Sequence, residues 1–225
     1  MSDWPAFRPM GTAALLVEFA PSASPATITA VRALDAALQA DPPRGLQEVV
    51  PTAASLMAVF DPLVTDHAVL TVALRGALMA PPPPARAPAL HEVPICTDPD
   101  LAPDLAEVAE RLGLTPEAVS DLHQGAEFTV SFYGFAPGYA YLDGLPEGMR
   151  LDRKPVPKRG VPAGSVIIAG GQCLITTQTM PTGWWIIGRT PFAVLTGDPD
   201  HPFRLQTGDR LRFVPAPRSV LEADA

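Results

Sequence analysis

Between Ser131 and Phe192 the chain concentrates glycine, proline and aromatic residues in three runs: SFYGFAPGYAYLDGLP from Ser131, VPAGSVIIAGGQ from Val161 and TGWWIIGRTPF from Thr182. Glycine inside a regular element costs conformational entropy, and proline removes a backbone donor. Their density between short apolar runs therefore predicts tight turns, bulges and close backbone approach rather than long helices. Any chemistry of the chain is expected in this segment.

The residues before it alternate between helix and strand patterns. Ala14 to Phe19 is an apolar run closed by Pro21 and reads as a strand. Ser24 suits a helix N-cap with Pro25 at the first helical position, and Ile28, Val31, Leu34 and Leu38 recur at helical spacing until Asp41-Pro42-Pro43. Strands are expected over Leu46 to Val50 and Ser55 to Phe60. A helix follows from Thr65 or Asp66, with Val69, Leu70, Ala73, Leu74 and Ala77 on one face. APPPPARAP, residues 80–88, favours polyproline II and marks a domain boundary, dividing the chain into 1–84 and 85–225.

Beyond the prolines, Glu92 to Cys96 reads as a strand, Leu101 to Leu112 as a helix, and Thr115-Pro116-Glu117 as the capped start of a short helix ending near His123. Strands are then expected at Phe128 to Phe132, Val166 to Ala169, Cys173 to Thr176, Trp184 to Ile187, Phe192 to Leu195 and Arg210 to Val214. Short strands joined by glycine and proline turns indicate a small barrel or sandwich. The chain is thus of the α+β class.

With 225 residues and 47% apolar content, the chain can bury a substantial core. A formal net charge of −8 argues against nucleic acid or anionic membrane as partner. The start MSDWPAFRPM has neither a cationic n-region nor an apolar h-region, and no run spans a bilayer, which makes the cytoplasm the expected compartment. Cys96 and Cys173 share no metal-type spacing with His67, His91, His123 or His201, so no metal site is expected. A phosphate loop, a nucleophile elbow and an HExxH helix are all missing from the sequence, so catalysis would need help from elsewhere.

Arg189 follows Trp184-Trp185-Ile186-Ile187-Gly188 and precedes Thr190-Pro191, so its guanidinium is expected to emerge from a strand end. There it can hold a small carboxylate bidentately; tying a turn to backbone carbonyls is the competing structural role. Arg150, Arg153, Lys154, Lys158 and Arg159 gather positive charge, which suits either an anion or a solvated loop. His123 and Glu127 offer a proton-exchanging pair near neutral pH, against a reading in which His123 caps its helix. Gly170 and Gly171 with Gln172 can form an anion nest, and Tyr139, Tyr141, Trp184 and Trp185 can line a pocket or meet a partner.

GTAALLVEF from Gly11, LQEVVPTAASLMAVFDP from Leu46, GFAPGYAYLDGLP from Gly134, VPAGSVIIAGGQ from Val161, IIGRTPF from Ile186 and GDRLRFVP from Gly208 together resemble the KipI family. That family is also called allophanate hydrolase subunit 1, or carboxyltransferase domain subdomain C and D, and includes the B subunit of bacterial 5-oxoprolinase. The resemblance implies an N-terminal α/β domain of ferredoxin-like type followed by a cyclophilin-like β-barrel. It also implies partners: a second carboxyltransferase-type subunit and a lactam-utilisation-type subunit, with ATP bound somewhere in the complex.

The implied reaction is ATP-dependent opening of 5-oxoproline to glutamate, or a related allophanate or urea chemistry. Arg189 and His123 are then the candidate catalytic residues. Phe135, Pro137, Gly138, Tyr139, Tyr141, Lys158, Gly170, Gly171, Gln172, Trp184, Gly188 and Thr190 are the candidate residues around a small carboxylate substrate. An enzyme subunit of this kind is expected to gather Arg189 and the Gly170-Gly171-Gln172 turn in one deep pocket. The family's namesake suggests a different role, inhibition of a sensor histidine kinase, which would need only an exposed apolar patch.

Overall fold

A computed structural model describes residues 4–81 and 86–222. The chain divides into two compact units, Met1–Ala87 and Pro88–Ala225. The boundary expected between 84 and 85, and most of the proline run, lie outside the described residues.

The first unit is a four-stranded antiparallel sheet in the order β1 (Ala6–Met10), β2 (Ala14–Glu18), β4 (Ser55–Phe60), β3 (Leu46–Pro51), with helices α1 (Pro25–Ala40) and α2 (His67–Met79). A capping box starts α1: the Thr27 N–H donates to Ser24 Oγ at 3.1 Å, and the Ser24 N–H donates to Thr27 Oγ1 at 2.8 Å. Leu15, Val17, Leu56, Ala58 and Phe60 on the strands bury against Val31, Leu34 and Leu38 of α1 and Leu70 and Leu74 of α2. Strict alternation along β2 and β4 is what puts these side chains on one face. Val69, expected on the buried face of α2, is exposed instead. The stripe runs through Leu70, Leu74 and Ala77, and a residue one position earlier is turned by about 100° around the helix.

The second unit is built on a seven-stranded sheet. Its order is β12 (Trp185–Arg189), β9 (Ser165–Ala169), β10 (Gln172–Ile175), β7 (Ala140–Asp143), β6 (Phe128–Tyr133), β13 (Arg210–Pro215), β5 (Leu90–Ile95). Every pairing is antiparallel except β13 with β5. The two outer strands come back together where the Cys96 N–H donates to Arg189 O at 2.8 Å and the Arg189 N–H donates to Cys96 O at 2.9 Å. This pair of bonds nearly closes the sheet into a barrel, leaving little free edge.

One face of that sheet, with Val166, Ile168, Cys173, Ile175, Trp185, Ile187, Phe128 and Phe213, shares a core with α3 (Leu105–Leu112) and α4 (Pro116–Gln124). The opposite face of β9, β10 and β12 presents Ile167, Ala169, Leu174, Trp184 and Ile186, which pack with Tyr139 and Val161. Val161 ends β8 (Lys158–Val161), which pairs with β11 (Met180–Thr182) as a separate two-stranded ribbon. Burial on both faces explains why these strands read as continuous apolar runs.

Several expectations need correction. Phe192 to Leu195 is not a strand; Pro191 cannot donate, and only Leu195 makes a bridge, to Phe203. The helix expected from Leu101 begins at Leu105, behind the Asp104 cap. β1, β7, β8 and β11 are strands that the pattern did not single out. A short helix, α5 (Ser219–Glu222), ends the described chain.

Candidate functional site

Arg189 owes its position to a bulge. Trp185 pairs with Ile168 and Ile186 with Ile167, but Gly188 pairs with Val166, so Ile187 is one residue more than its partner strand supplies. Trp185 and Ile187 both point into the core, and unbroken alternation would send Arg189 after them. The bulge shifts the phase by one. Gly188 now faces inward, and a Cβ there would lie 2.6 Å from Ile95 Cδ1. Arg189 turns away from the core and is only half-buried. Its backbone closes the barrel, and its guanidinium makes no hydrogen bond or ion pair with the described residues.

Arg189 borders a cavity of about 450 Å³ together with Gly164, Thr176, Thr177, Thr190, Phe192 and Leu195, and Arg218 from the segment entering α5. Gly164 holds φ +80° and is sandwiched in the wall: its N–H donates to Thr176 O at 2.7 Å, and its carbonyl accepts from the Thr190 N–H at 2.8 Å. A Cβ would sit 2.5 Å from Thr190 O, so only glycine fits. The Thr176 hydroxyl donates to Pro162 O and accepts from the Ser165 N–H, pinning the loop. Arg218 meets Asp100 through two contacts, 3.1 and 2.9 Å. The cavity thus displays one guanidinium with unspent donors beside hydroxyl-bearing walls, an arrangement suited to a small carboxylate.

A second, smaller cleft of about 120 Å³ collects Phe135, Tyr139, Tyr141 and Trp184 with Arg153 and Met180. One loop serves both cavities. Its Gly138 packs against Leu195 and Thr177, and the Thr177 hydroxyl donates to Pro137 O at 2.6 Å. At its apex Phe135 takes φ +73°, the only non-glycine residue with positive φ among those described, at a cost of about 1 kcal/mol or more.

The Gly170-Gly171-Gln172 turn does not join Arg189. Arg189 pairs with Ser165 at one end of β9, and Gly170 follows the other end, about 16 Å away at 3.3 Å per residue. The Gly170 N–H donates to Leu151 O, the Arg150 guanidinium lies over Gly171, and Gln172 Nε2 reaches Asp143. The expectation of a single pocket containing both features is therefore corrected. Gly188 is likewise a packing residue at the seam, and Lys158 is exposed on the β8 ribbon. Thr190 borders the larger cavity, where its Oγ1 accepts from the Phe192 N–H.

His123 is also corrected. It is buried among Phe128, Phe213 and Cys173, with Nε2 3.4 Å from Cys173 Sγ and Nδ1 lacking a partner among the described residues. Burial pushes its pKa down to about 3, so it is neutral near pH 7 and cannot reach a ligand. Glu127 pairs instead with Arg210 and Arg212; although desolvation opposes them, these guanidinia hold its carboxyl below the usual carboxylate range. Gly164 and Arg218 were not foreseen as cavity residues, whereas Thr176 and Thr177 close the run after Gly170-Gly171-Gln172 that was expected to line a pocket. Of the two unforeseen residues, only Gly164, inside the VPAGS run, carried a visible signal.

Residues 5–205 match the family model described as carboxyltransferase domain, subdomain C and D. The chain belongs to this family. Among its relatives, the 5-oxoprolinase B subunit of Bacillus subtilis (strain 168) is 41% identical over 123 residues, 55% of this chain and 51% of that protein. The Escherichia coli O157:H7 protein of the same name is 40% identical over 129 residues, 57% of this chain and 59% of that one. The match thus spans little more than half the length of these curated relatives. Among solved structures, TTHA0988 superposes on this carboxyltransferase-family chain with TM-score 0.82 at 35% identity, over 92% of this chain and 41% of its own. The Kluyveromyces lactis urea amidolyase gives 0.77 at 18% identity, over 96% of this chain and 15% of its own, and shares the fold alone.

Proposed function

We propose that the chain is one subunit of a heteromeric ATP-dependent amidohydrolase, a 5-oxoprolinase that converts 5-oxo-L-proline, ATP and water to L-glutamate, ADP and phosphate. The observation that carries the reading is the Arg189 guanidinium, held at a cavity mouth with its donors unspent. The names of the curated relatives support the substrate. Within this reading the second unit is a cyclophilin-like barrel and the complex is cytoplasmic.

A lactam is a poor electrophile because nitrogen donates into the carbonyl, and ATP removes that resistance by activating the amide oxygen. That step is assigned to the second carboxyltransferase-type subunit and the lactam-utilisation-type subunit. This chain contributes positioning. Arg189 grips the substrate carboxylate with two parallel N–H donors, so binding at the spectator group fixes the lactam carbonyl for attack by water. The small cavity admits a five-membered ring, and its hydroxyl-lined wall tolerates the lactam's polar edge.

The test is co-expression with both partner subunits and measurement of phosphate release with 5-oxoproline, allophanate or urea. Release that depends on 5-oxoproline and on all the subunits is expected, with KM raised in Arg189→Ala. Release with allophanate or urea instead would move the reading to that chemistry. An Arg189→Ala complex with unchanged KM and turnover would remove the clamp.

A further inference from the structure

Helix α2 is apolar on two opposite sides. Leu70 and Leu74 enter the core of the first unit, with Ala77 and Leu78 packed beside them. At about 100° per residue, the side turned away from that core carries Ala68, Val69, Val72, Gly76 and Met79. All five are exposed: Val69 by 59%, Val72 by 72% and Met79 by 87%. The helix contains no carboxylate and no lysine, and its one arginine, Arg75, stands on the flank of the stripe with the guanidinium 4.5 Å from the Phe7 ring centroid. A surface helix ordinarily turns a charged side to water, so an apolar outward stripe of this length marks a contact surface.

The stripe has a shape that complements itself. Val69, Val72, Gly76 and Met79 follow the alternating three- and four-residue spacing with which one helix seams against another. Beside Gly76 a groove of about 510 Å³ runs between α1 and α2, walled by Ala37, Ala40, Ala73 and Ala77. A Cβ on Gly76 would meet nothing within 4 Å, so the notch is open to a foreign side chain. When two copies lie antiparallel, with the two-fold axis level with Leu74, Val72 of each chain falls opposite Gly76 of the other, and Val69 opposite Met79. A larger side chain meets a smaller one at both places. Closing the stripe desolvates no charge, and the two copies together bury on the order of 1,000 Å², the size at which a specific contact begins.

We propose that the outward side of α2 is a self-association surface, on which a second copy of this chain packs its own α2 antiparallel, Val72 of each entering the notch over Gly76 of the other. Symmetry decides the occupant. A two-fold contact needs a face that complements itself, and this stripe places its knob and its hole at equal distances on either side of Leu74. A face fitted to a different subunit is under no such constraint. The surface goes beyond the proposed reaction and does not depend on it, since α2 belongs to the first unit and the Arg189 cavity is lined by residues of the second.

Sedimentation of the isolated chain should show a dimer that dissociates in roughly the micromolar range, in keeping with so small a face. Each copy carries a formal net charge of −8, so added salt should strengthen the dimer by screening their repulsion. Val72→Asp puts a charge in the seam and should weaken the dimer about tenfold or more, while the melting temperature of the dilute chain stays put because Val72 already stands in water. Gly76→Leu separates the two effects: leucine favours the helix and meets no neighbour, so the dilute chain should melt higher, yet the filled notch weakens the dimer. Val72→Gly combined with Gly76→Val exchanges knob and hole, and should bind more tightly than Gly76→Val alone. A wild-type chain still monomeric at about 100 μM would overturn the surface. So would wild-type affinity in both Val72→Asp and Gly76→Leu, or an exchanged pair no tighter than Gly76→Val. A monomeric chain that captures a co-expressed carboxyltransferase-type subunit, and loses it in Val72→Asp, would assign the face to that subunit and overturn self-association.

Discussion

Arg189 and His123 are both polar residues at the end of a regular element in an apolar neighbourhood, yet the barrel treats them in opposite ways. At Arg189 a bulge turns the side chain off the core and leaves its donors free, while the backbone at the same position seals the seam. At His123 the helix delivers the imidazole into a cluster of Phe128, Phe213 and Cys173, where it is neutral and walled off. A functional group is available for chemistry only if its backbone position and its side-chain direction can be satisfied separately. Arg189 meets that condition and His123 does not.

The sharpest way to break the contrast is Arg189→Ala in the assembly proposed above. Losing a hydrogen-bonded charge partner costs about 2–5 kcal/mol, so kcat/KM with 5-oxoproline should fall by roughly 30- to 5000-fold, with Arg189→Lys recovering only part. Thermal stability should hardly move, because the Cys96 bonds use only the backbone. A large drop in melting temperature would show that the guanidinium is structural after all.

His123 should do the reverse: influence stability and leave turnover alone. Its folded pKa of about 3 lies below the ordinary imidazole value of 6.5, so the unfolded chain takes up the proton more readily. The contribution of the neutral imidazole is complete above pH 6.5 and is lost as pH falls toward 3, amounting to about 2 kcal/mol by pH 5. Denaturant titrations of wild type and His123→Leu at about pH 7.5 and pH 5 would measure this. A wild-type pH slope no steeper than the variant's would place the imidazole in a wetter setting than the one described.

Gly188→Ala probes the bulge that separates the two cases. Its methyl would press on Ile95, and denaturation should report a loss of about 1–2 kcal/mol. Smallest is Thr177→Val, which removes the hydroxyl bond to Pro137 O and should cost about 1 kcal/mol while loosening the loop that carries Phe135. Protection of the Gly134–Tyr139 amides in hydrogen exchange would fall in that variant and stay unchanged in Gly188→Ala.

Much of the architecture could be read from residue order. The Ser24 and Thr115 caps, the α1 stripe and the strand positions of β4, β9 and β13 follow from local rules, because capping and alternation act within a few residues. β8 and β11 were not visible: each is short, and each is stabilised mainly by the other, about twenty residues away. The site was legible in part. Arg189 and Thr190 stood out through the run that contains them, and Thr176 and Thr177 through the run after Gln172, whereas Arg218 carries no mark until the chain closes around it.

By itself, the order of residues determined that the second half of this protein would be short strands turning on glycine and proline, with one arginine at the end of an apolar run. Whether that arginine faced the core, a nest of glycines or open space depended on strand register. Register is set by pairing between segments far apart in the chain, and one extra residue at Ile187 reverses the side of the sheet on which everything after it lies. Tertiary structure alone decided that Arg189 opens onto a cavity, that the Gly170 turn lies at the other end of its strand, and that His123 is sealed inside.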